Sequence, residues 1–330
     1  MGPEVQWAII LAGSYVWRAD SLEAACPRAL LPVANAPMVH YTLAWLRAGG
    51  LRAATLCSND AALLLGDCLQ DGTAAGIELF YYEDRVPRGP AGSVCDAALA
   101  TPADPFIVVE GAIIPELNLT DLLRAHRRSN AAATVVVHGA HGDNDEAEAN
   151  QSPIGIYVFG RSALARVPRA GFQDIKEGLI PRLHGEGETV VAYAASGTFP
   201  RVRGLASYLA AQVWALERIY ARELTRDRYE WRRGAYVHHS ARLAERARVV
   251  PPVMIGPESR VEDEAVLVGP CVLGGRCVVG RGSIIERSVL WDACTVGPQV
   301  VIDQAVLTAG VLVASGVTRQ CIASPLVAGS

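Results

Sequence analysis

The last third of the chain repeats an apolar residue every six positions, and this period constrains the fold more than any other feature of the sequence. The positions in register are Val237, Leu243, Val249, Ile255, Val261, Leu267, Leu273, Val279, Ile285 and Trp291. A small or β-branched residue follows each of them four positions later, from Ala241 to Thr295. In parallel β-helices with this period, each coil buries one apolar ladder against the next. The repeat therefore predicts a β-helix, with a slip in register near Gly297.

Before the repeat, short apolar runs alternate with helical patterns. The predicted strands are residues 8–11, 53–57, 77–82, 105–109, 133–138, 152–160 and 189–193. The predicted helices are residues 38–46, 60–70, 119–128 and 205–222, the second with Asn59 as its N-cap. The alternation indicates an α/β domain with a doubly wound, mostly parallel sheet. We predict this domain over residues 1–225, a linker over 226–236 and the β-helix domain over 237–330.

Composition narrows the classes of function. At 330 residues, 51% of them apolar and 19% charged, the chain is long enough for two globular domains. A formal net charge of −4 argues against a general nucleic-acid binder. No apolar run reaches the ~18 residues of a membrane span, so no membrane partner is expected. The eight cysteines include no C-x-x-C pair, which argues against a zinc cluster and for a reducing cytoplasm.

A strand that ends in a small-residue turn is the first candidate site. The apolar run 8–11 has no helical spacing and is typical of a buried parallel strand, and it leads into the turn 12–14. Such turns bind phosphorylated ligands through backbone N–H groups in α/β sheets. Arg18 and Arg28 follow the turn and are suited to neutralise phosphate charge.

The order and spacing of this stretch resemble the N-terminal signature of the sugar-nucleotide pyrophosphorylases, roughly LAGGxGTRLxPLTxxxPKPLLPVxNxPM. The residues in register are Leu11, Ala12, Gly13, Arg18, Leu22, Pro27, Leu30, Leu31, Pro32, Val33, Asn35, Pro37 and Met38. Ser14 and Val16 stand where that family has glycines, Trp17 where it has threonine and Arg28 where it has lysine. The signature is therefore degenerate.

A second segment, PRGPAGSV, resembles the family loop P-x-G-T-A-G-A-[LV], whose backbone contacts the nucleotide base. It keeps the two glycines and the alanine, while Pro90 replaces threonine. Glycines in such a loop let a ligand approach the main chain closely. The resemblance implies a nucleotide site formed by Leu11, Ala12, Gly13, Ser14, Gly89, Ala91 and Gly92.

The segment SVLWD, residues 288–292, resembles the β-helix tails of mannose-1-phosphate guanylyltransferases and their regulatory paralogues. The resemblance thus extends over residues 5–320. It implies a Rossmann-like nucleotidyltransferase domain followed by a left-handed parallel β-helix of hexapeptide repeats.

The resemblance also implies a reaction, in which a nucleoside triphosphate and a sugar 1-phosphate give a sugar nucleotide and pyrophosphate. In the family, two aspartates hold the magnesium ion, and their positions are Ala112 and Arg201 here. Glu110 lies on the same strand face as Ala112 and is the one substitute carboxylate nearby in sequence. The family's sugar-binding motif is absent. The polar segment 138–150 carries Asp143, Asp145, Glu146 and Glu148, which indicate either a cation site or a solvated loop.

Three functional hypotheses remain. The first is a catalytically impaired regulatory, sensing or scaffolding subunit that binds a nucleotide or sugar nucleotide, with Arg18 and Arg28 as its residual catalytic-site residues and no cofactor. The second is an active nucleotidyltransferase that uses Glu110 and Asp174 and requires Mg²⁺. The third is an acyltransferase of the hexapeptide-repeat type, which uses a histidine beside the coils, and His238 and His239 lie in the first hexad.

The β-helix also predicts association. Its flat faces and open ends favour contact with another chain. We therefore expect a homo-oligomer or a complex with an active paralogue.

Overall fold

The computed structural model describes residues 7–13, 22–59, 61–85, 88–101, 103–139, 153–222, 228–315, 318–319 and 322–323. The chain divides into two compact units. The first consists of Met1–Tyr15, Pro27–Leu30 and Met38–Phe199, and the second of Val16–Cys26, Leu31–Pro37 and Pro200–Ser330. The predicted domain boundary at residue 225 falls outside the described residues.

Short strands and helices alternate up to residue 222. The strands are β1 (Trp7–Leu11), β2 (Pro32–Val33), β3 (Ala36–Pro37), β4 (Ala53–Ser58), β5 (Glu78–Glu83), β6 (Phe106–Glu110), β7 (Ala133–His138), β8 (Pro153–Phe159) and β9 (Val190–Ala195). The helices are α1 (Leu22–Ala25), α2 (Met38–Ala48), α3 (Ala62–Leu69), α4 (Pro90–Ala98), α5 (Leu119–Ser129), α6 (Arg161–Leu164), α7 (Ile180–Gly185) and α8 (Leu205–Arg222). Two 3₁₀ turns (Arg28–Leu30 and Thr73–Ala75) and a π-helical turn (Ile175–Leu179) complete this set.

In the described part of the first unit, seven strands form one sheet in the order β5-β4-β1-β6-β8-β7-β9. Strand β1 lies parallel between β4 and β6, and β8 is antiparallel to both of its neighbours. Ala8, Ile9 and Ile10 are fully buried, which explains why β1 is apolar on both faces. The predicted doubly wound, mostly parallel sheet is confirmed. Leu11 pairs with Cys57 on one side and with Glu110 on the other, so three strand ends meet at one edge.

Helix α3 begins later than predicted. Its N-cap position is Ala61, which makes no capping hydrogen bond through its side chain, so the assignment of Asn59 as N-cap is wrong. The Asn59 amide covers Gly13 instead, because a Cβ atom at Gly13 would lie 2.5 Å from Asn59 Oδ1. Asn59 therefore belongs to the loop at the sheet edge and not to the helix.

The second unit contains the hairpin β2–β3, helix α8 and a parallel β-helix. The strands of the β-helix unit are β10 (Tyr229–Arg232), β11 (Ala235–His238), β12 (Arg242–Leu243), β13 (Arg248–Val250), β14 (Val253–Ile255), β15 (Arg260–Val261), β16 (Val266–Val268), β17 (Cys271–Leu273), β18 (Val278–Val279), β19 (Ile284–Glu286), β20 (Val289–Leu290), β21 (Thr295–Val296), β22 (Val301–Asp303), β23 (Val306–Leu307), β24 (Leu312–Val313), β25 (Thr318–Arg319) and β26 (Ile322–Ala323). From β11 onward each strand pairs in parallel with the strand three places later, which generates three stacked sheets. Val237, Ile255 and Leu273 are fully buried along one ladder. The predicted β-helix is confirmed.

The register of the repeat differs from the prediction. Leu267 pairs with Ile285 eighteen positions on, whereas Leu273 pairs with Leu290, seventeen positions on. The slip therefore lies before Leu290 and not near Gly297, because one corner of this coil is a residue shorter. Leu290 occupies the core position predicted for Trp291, whose indole N–H donates instead to Tyr208 Oη at 2.9 Å.

The cysteines of the described residues are free thiols. Cys271, Cys277 and Cys294 are buried in the core of the β-helix, where they act as small apolar side chains. Cys294 there replaces Thr295, the residue predicted from an unbroken period. No helix among the described residues is long and apolar enough to cross a membrane.

Candidate functional site

The two glycine loops meet at the carboxyl edge of the sheet in the first unit. Leu11 and Gly13 come from the end of β1, and Gly89 and Pro90 come from the start of α4. Together they line a cavity of about 110 Å³. The other lining residues are Cys57, Ser58, Asn59, Asp84 and Ser93. The structure therefore brings together two loops that are far apart in sequence and were assigned to one nucleotide.

The loop before α4 requires its glycines. Gly89 has a φ of +83°, and a Cβ atom there would lie 2.6 Å from the carbonyl oxygen of Gln173. At Gly92 a Cβ atom would lie 2.6 Å from Cβ of Arg88. A side chain at either position would collide with the segment that supports the loop. The glycines of this motif therefore allow the loop to pack closely against its neighbours, in addition to leaving its backbone uncovered.

Two of the backbone donors predicted for a ligand are already used within the protein. The Ala12 N–H donates to the carbonyl of Cys57 at 2.7 Å, and the Ala91 N–H donates to the carbonyl of Gln173 at 3.0 Å. These residues hold the loops in place. These two N–H groups are therefore not available to a ligand.

Polar side chains also line the cavity. Asp84 is only 7% exposed, and Ser93 Oγ donates to its Oδ2 at 2.5 Å. Ser58 is 2% exposed, and no described residue hydrogen-bonds to its Oγ. Burial, reinforced by the charges of Asp84 and Asp96, raises the pKa of Cys57 well above its usual value. The thiol is therefore a neutral, apolar part of the cavity wall and not a nucleophile.

Glu110, at the end of β6, forms an ion pair with the only lysine in the sequence. Its Oε1 lies 3.2 Å from Lys176 Nζ and accepts a hydrogen bond from the Tyr157 hydroxyl at 3.3 Å. Gly155, with a φ of +100°, leaves room for this carboxylate, because a Cβ atom there would lie 2.7 Å from Glu110 Cδ. Three elements therefore hold Glu110 in one place.

These residues do not fit the magnesium site that the family signature implies. Ala112 offers no ligand, and Glu110 already interacts with an ammonium group. Asp174, the other carboxylate of the active-enzyme hypothesis, caps the π-helical turn by accepting from the backbone N–H groups of Lys176 and Glu177 at 2.6 and 2.8 Å. Within the described residues no three His, Cys, Asp or Glu side chains are grouped to hold a metal ion.

The remaining predicted residues are dispersed. Arg28 opens a 3₁₀ turn in the first unit, whereas Arg201 and His238 belong to the second. His238 lines a separate cavity of about 410 Å³ with Tyr229. Ser14, Arg18 and the acidic residues of segment 138–150 lie outside the described residues, so their assignments stay predictions.

Sequence reasoning missed Lys176, Ser58 and Asp84. The sequence does carry one signal for the first, since a single lysine among the basic residues of a 330-residue chain is unusual. No motif marks the other two, because they reach the cavity only through the pairing of β4 with its neighbours.

Comparison with known proteins agrees with this architecture. A family model described as nucleotidyl transferase matches residues 7–149, and one for the left-handed β-helix domain of the EIF2B epsilon subunit matches residues 232–328. The chain therefore contains a nucleotidyl transferase domain followed by a β-helix domain similar to that of the EIF2B epsilon subunit. The β-helix is accordingly of the left-handed type, as the resemblance implied.

Individual relatives of this family are distant. A mannose-1-phosphate guanylyltransferase of Mycobacterium tuberculosis is 23% identical over 55% of this chain and 56% of its own length. A UTP–glucose-1-phosphate uridylyltransferase of Synechocystis is 23% identical over 88% of this chain and 84% of its own length. A catalytic subunit beta of mannose-1-phosphate guanylyltransferase from Drosophila pseudoobscura is 27% identical, and the match spans about half of each chain, 48% and 49%.

Solved structures share the fold. A Bacillus anthracis protein assigned as a glucose-1-phosphate thymidylyltransferase matches with a TM-score of 0.55 and 16% identity, over 63% of this chain and 95% of its own. HddC from Yersinia pseudotuberculosis matches with a TM-score of 0.53 and 16% identity, over 64% and 99%.

Proposed function

We propose that this chain is a catalytically impaired nucleotidyltransferase homologue that binds a nucleotide or sugar nucleotide as a regulatory, sensing or scaffolding subunit. One observation carries the proposal. The carboxylate closest in sequence to the lost metal ligand, Glu110, is paired with Lys176, while Ala112 stands at the ligand position itself. Magnesium requires oxygen ligands, most often carboxylates, and among the described residues no three possible ligand side chains are grouped to hold it.

Binding and transfer use different parts of the site. The cavity between the β1 and α4 loops is suited to a base, since it is enclosed by glycine backbone and polar side chains. Nucleotidyl transfer in addition needs the phosphates to be aligned and their charge neutralised. A site with the first part and without the second binds ligand and does not turn it over.

A regulatory role implies a second chain. The Drosophila relative is named as a catalytic subunit, which is a term for one chain of an assembly. We propose that this chain associates with itself or with an active paralogue. Light scattering combined with affinity capture tests this, and a monodisperse monomer that recovers no family member would contradict it.

Turnover is tested by pyrophosphate release. The full chain is incubated with nucleoside triphosphates and sugar 1-phosphates, with magnesium and with EDTA, beside the M. tuberculosis relative as an assay control. We expect no magnesium-dependent release. Robust release would establish the active-enzyme hypothesis instead. The double variant Ala112→Asp, Arg201→Asp tests whether the two metal-ligand positions alone account for the expected loss of turnover.

Binding is tested by calorimetry with nucleoside diphosphates, triphosphates and sugar nucleotides. Gly89→Ala places a side chain against Gln173 and should weaken affinity at least tenfold, because the loop has to move. Gly178→Ala is the matched control, since no atom lies within 4 Å of its Cβ position. Arg18→Ala should lower the affinity for phosphate-containing ligands in particular. An unchanged affinity would contradict the assignment of Arg18 to the phosphates.

A further inference from the structure

We infer that a second cavity in the first unit binds an amphipathic organic anion, and that this binding acts on the loop before α4. The cavity has a volume of about 710 Å³ and lies beside α4 and α6. Cavities of roughly 300–1,000 Å³ are typical of small-molecule sites. It is distinct from the cavity between the β1 and α4 loops, because the two have no lining residue in common within the described part of the chain.

The two cavities contact different faces of helix α4. Cys95, Ala98 and Leu99 line the second cavity, and their spacing of three and four positions places them on one face of the helix. Pro90 and Ser93 line the first cavity and share another face. A ligand in either cavity therefore contacts the same helix.

The wall of the second cavity is mainly apolar. Ala98 and Leu99 come from the end of α4, Leu164 from α6, and Ala165 and Val167 from the turn that follows α6. Leu99 is 82% exposed although it lines a cavity. Covering such a side chain removes apolar surface from water, which favours a ligand with an apolar body.

The charged groups around this wall are mostly positive. Three lining residues are arginines, Arg88, Arg161 and Arg169, and Asp96 supplies the one carboxylate among the described lining residues. Arg88 donates to Asp96 Oδ1 at 2.6 Å, so this pair is internally balanced. The other two arginines leave a surplus of two positive charges. The cavity therefore favours an anionic ligand.

Both remaining arginines are available to an anion. Arg161 donates to the carbonyl groups of Thr101 and Ala103, and its Cζ lies 5.2 Å from the centre of the Phe106 ring. These neutral partners hold the guanidinium group in place and leave its charge uncompensated. Arg169 is exposed, and its side chain forms no ion pair or hydrogen bond with a described residue. Guanidinium groups bind carboxylates and phosphates through paired hydrogen bonds.

The thiol in the wall does not oppose an anion. Cys95 Sγ donates to the carbonyl of Leu164 at 3.3 Å. Burial, reinforced by the charge of Asp96, raises the pKa of Cys95 to about 11, so the thiol is neutral at pH 7 and is not a nucleophile. The ligand class that fits this wall has an apolar body and one carboxylate or phosphate group.

Arg88 connects this cavity to the loop before α4. Its side chain lines the cavity, and its main chain directly precedes Gly89. The Arg88 carbonyl accepts from the Gln173 N–H at 2.6 Å, and the Gln173 carbonyl accepts from the Ala91 N–H at 3.0 Å. An anion beside Arg88 competes with Asp96 for the guanidinium group and so acts on this loop. Binding of the anion should therefore weaken nucleotide binding, and this step alone rests on the proposed function.

The first test uses four probes on the unmodified full chain. Calorimetry compares 2-naphthyl phosphate and 2-naphthoate, which join an apolar body to an anion, with 2-naphthol and inorganic phosphate, which each lack one part. We expect the two naphthyl anions to bind roughly tenfold more tightly than either partial probe, because hydrogen bonds to charged groups are strong. The ratio of the two naphthyl anions shows whether phosphate or carboxylate is preferred. Equal affinities for 2-naphthol and the naphthyl anions, or no binding of these anions, would overturn the inference.

Two variants locate the binding. Arg169→Gln should lower the affinity for both naphthyl anions roughly tenfold and leave 2-naphthol unchanged. Leu99→Ser should lower the affinity for all three naphthyl probes by about threefold, because it removes apolar surface from the wall. The matched controls are Arg127→Gln, exposed on α5, and Leu63→Ser, 86% exposed on α3, which lie outside the cavity. If Arg169→Gln behaves as Arg127→Gln does, the probes bind elsewhere and the inference is wrong.

Asp96→Asn is expected to increase binding. It removes the carboxylate that competes for Arg88, so the affinity for 2-naphthyl phosphate should rise by about three- to tenfold. A purely structural role of Asp96 would not produce a gain, and a lower affinity in a folded variant would contradict the inference. Circular dichroism verifies that each variant is folded, and the four-probe comparison decides without any variant.

The coupling is tested by titrating GDP, ADP and UDP at increasing concentrations of 2-naphthyl phosphate. The affinity of each nucleotide that binds should fall by about three- to tenfold and then reach a plateau, because the coupling between two separate sites is limited. A fall without a plateau indicates competition for one site and would overturn the inference, and an unchanged affinity would overturn the coupling. If no nucleotide binds, the proposed function is wrong, and the four-probe comparison still decides whether the second cavity binds an anion.

Discussion

Replacing Lys176 by methionine removes the ammonium group that faces Glu110 and keeps a flexible, unbranched side chain. The Nζ–Oε1 distance is 3.2 Å, and the two side chains are 32% and 20% exposed, so the pair lies between the surface and the interior. Exposed ion pairs contribute ~0–1 kcal/mol, whereas removal of one partner of a buried pair costs about 3–5 kcal/mol. We expect Lys176→Met to lower the free energy of unfolding by about 1–2 kcal/mol, in the range between these limits.

The cause of this loss can be isolated by a double-mutant cycle. In Lys176→Met the Glu110 carboxylate keeps the hydrogen bond from Tyr157 and loses the ammonium group. In Glu110→Gln the ammonium group loses the carboxylate. The double variant buries neither charge, so its destabilisation should be smaller than the sum of the two single losses by about 1 kcal/mol.

Urea unfolding, followed by circular dichroism, measures these free energies for the four proteins. Because the chain has two compact units, each transition is analysed separately and the cycle is applied to the one that the variants shift. Arg124→Met is the control, because the ion pair of Arg124 with Asp121 is about half exposed and its loss should cost less than ~0.5 kcal/mol. A coupling below ~0.3 kcal/mol would refute the interaction between Lys176 and Glu110.

Three further variants test other parts of the structure. Gly155→Ala forces a Cβ atom onto the Glu110 carboxylate at a positive φ, so we expect a loss of about 1–3 kcal/mol in thermal unfolding, and an unchanged melting temperature would be inconsistent with this packing. Leu290→Ala empties a fully buried core position and should lower the free energy of unfolding by about 2–5 kcal/mol. Val301→Ala, at a partly exposed position, should lower it by less than ~0.5 kcal/mol. Similar losses for the two variants would argue for the unbroken six-residue register. Asn118→Ala removes the side-chain cap of α5 and should cost about 1 kcal/mol in urea unfolding, and a smaller effect than at Val301 would contradict the cap.

Elements with a clear apolar period were predictable to the residue. Strand β7 (Ala133–His138) and helix α8 (Leu205–Arg222) have the predicted ends. The start of helix α3 was predicted less accurately. Asparagine is a common N-cap residue, but Asn59 contacts Gly13, which lies 46 positions earlier in the chain. Local sequence patterns do not contain such long-range contacts.

The register of the β-helix illustrates a second limit. Leu290 and Trp291 are both apolar, so the sequence allows either to continue the ladder. The choice depends on the length of one corner and on Tyr208, which accepts the indole N–H from a position more than eighty residues away. The six-residue period predicts the β-helix fold, but it contains no information about the length of a corner or about the contact with Tyr208.

For the candidate site, the sequence motifs predicted the two loops correctly, but the contacts of the loop residues could be seen only in the structure. The glycines of the α4 loop were predicted to let a ligand approach the main chain, and the structure shows that a Cβ atom at Gly89 or Gly92 would also collide with the protein. Ala12 and Ala91 use their N–H groups within the protein. Two polar side chains of the cavity wall, Ser58 and Asp84, belong to no motif. They come together because β4 and β5 are neighbours in the sheet, which is a property of topology and not of local sequence.

The proposed function separates ligand binding from transfer, and the two would use different parts of the strand edge. In the proposal, a base binds in the cavity through directed hydrogen bonds, which need fixed partners and no net charge. At Glu110, transfer would require an excess of negative charge to hold a divalent cation between phosphates. Lys176 forms an ion pair with Glu110, and its positive charge lowers the electrostatic attraction of that carboxylate for a metal ion. Under the proposed function, loss of transfer chemistry is compatible with retained ligand binding, because the two would depend on different side chains.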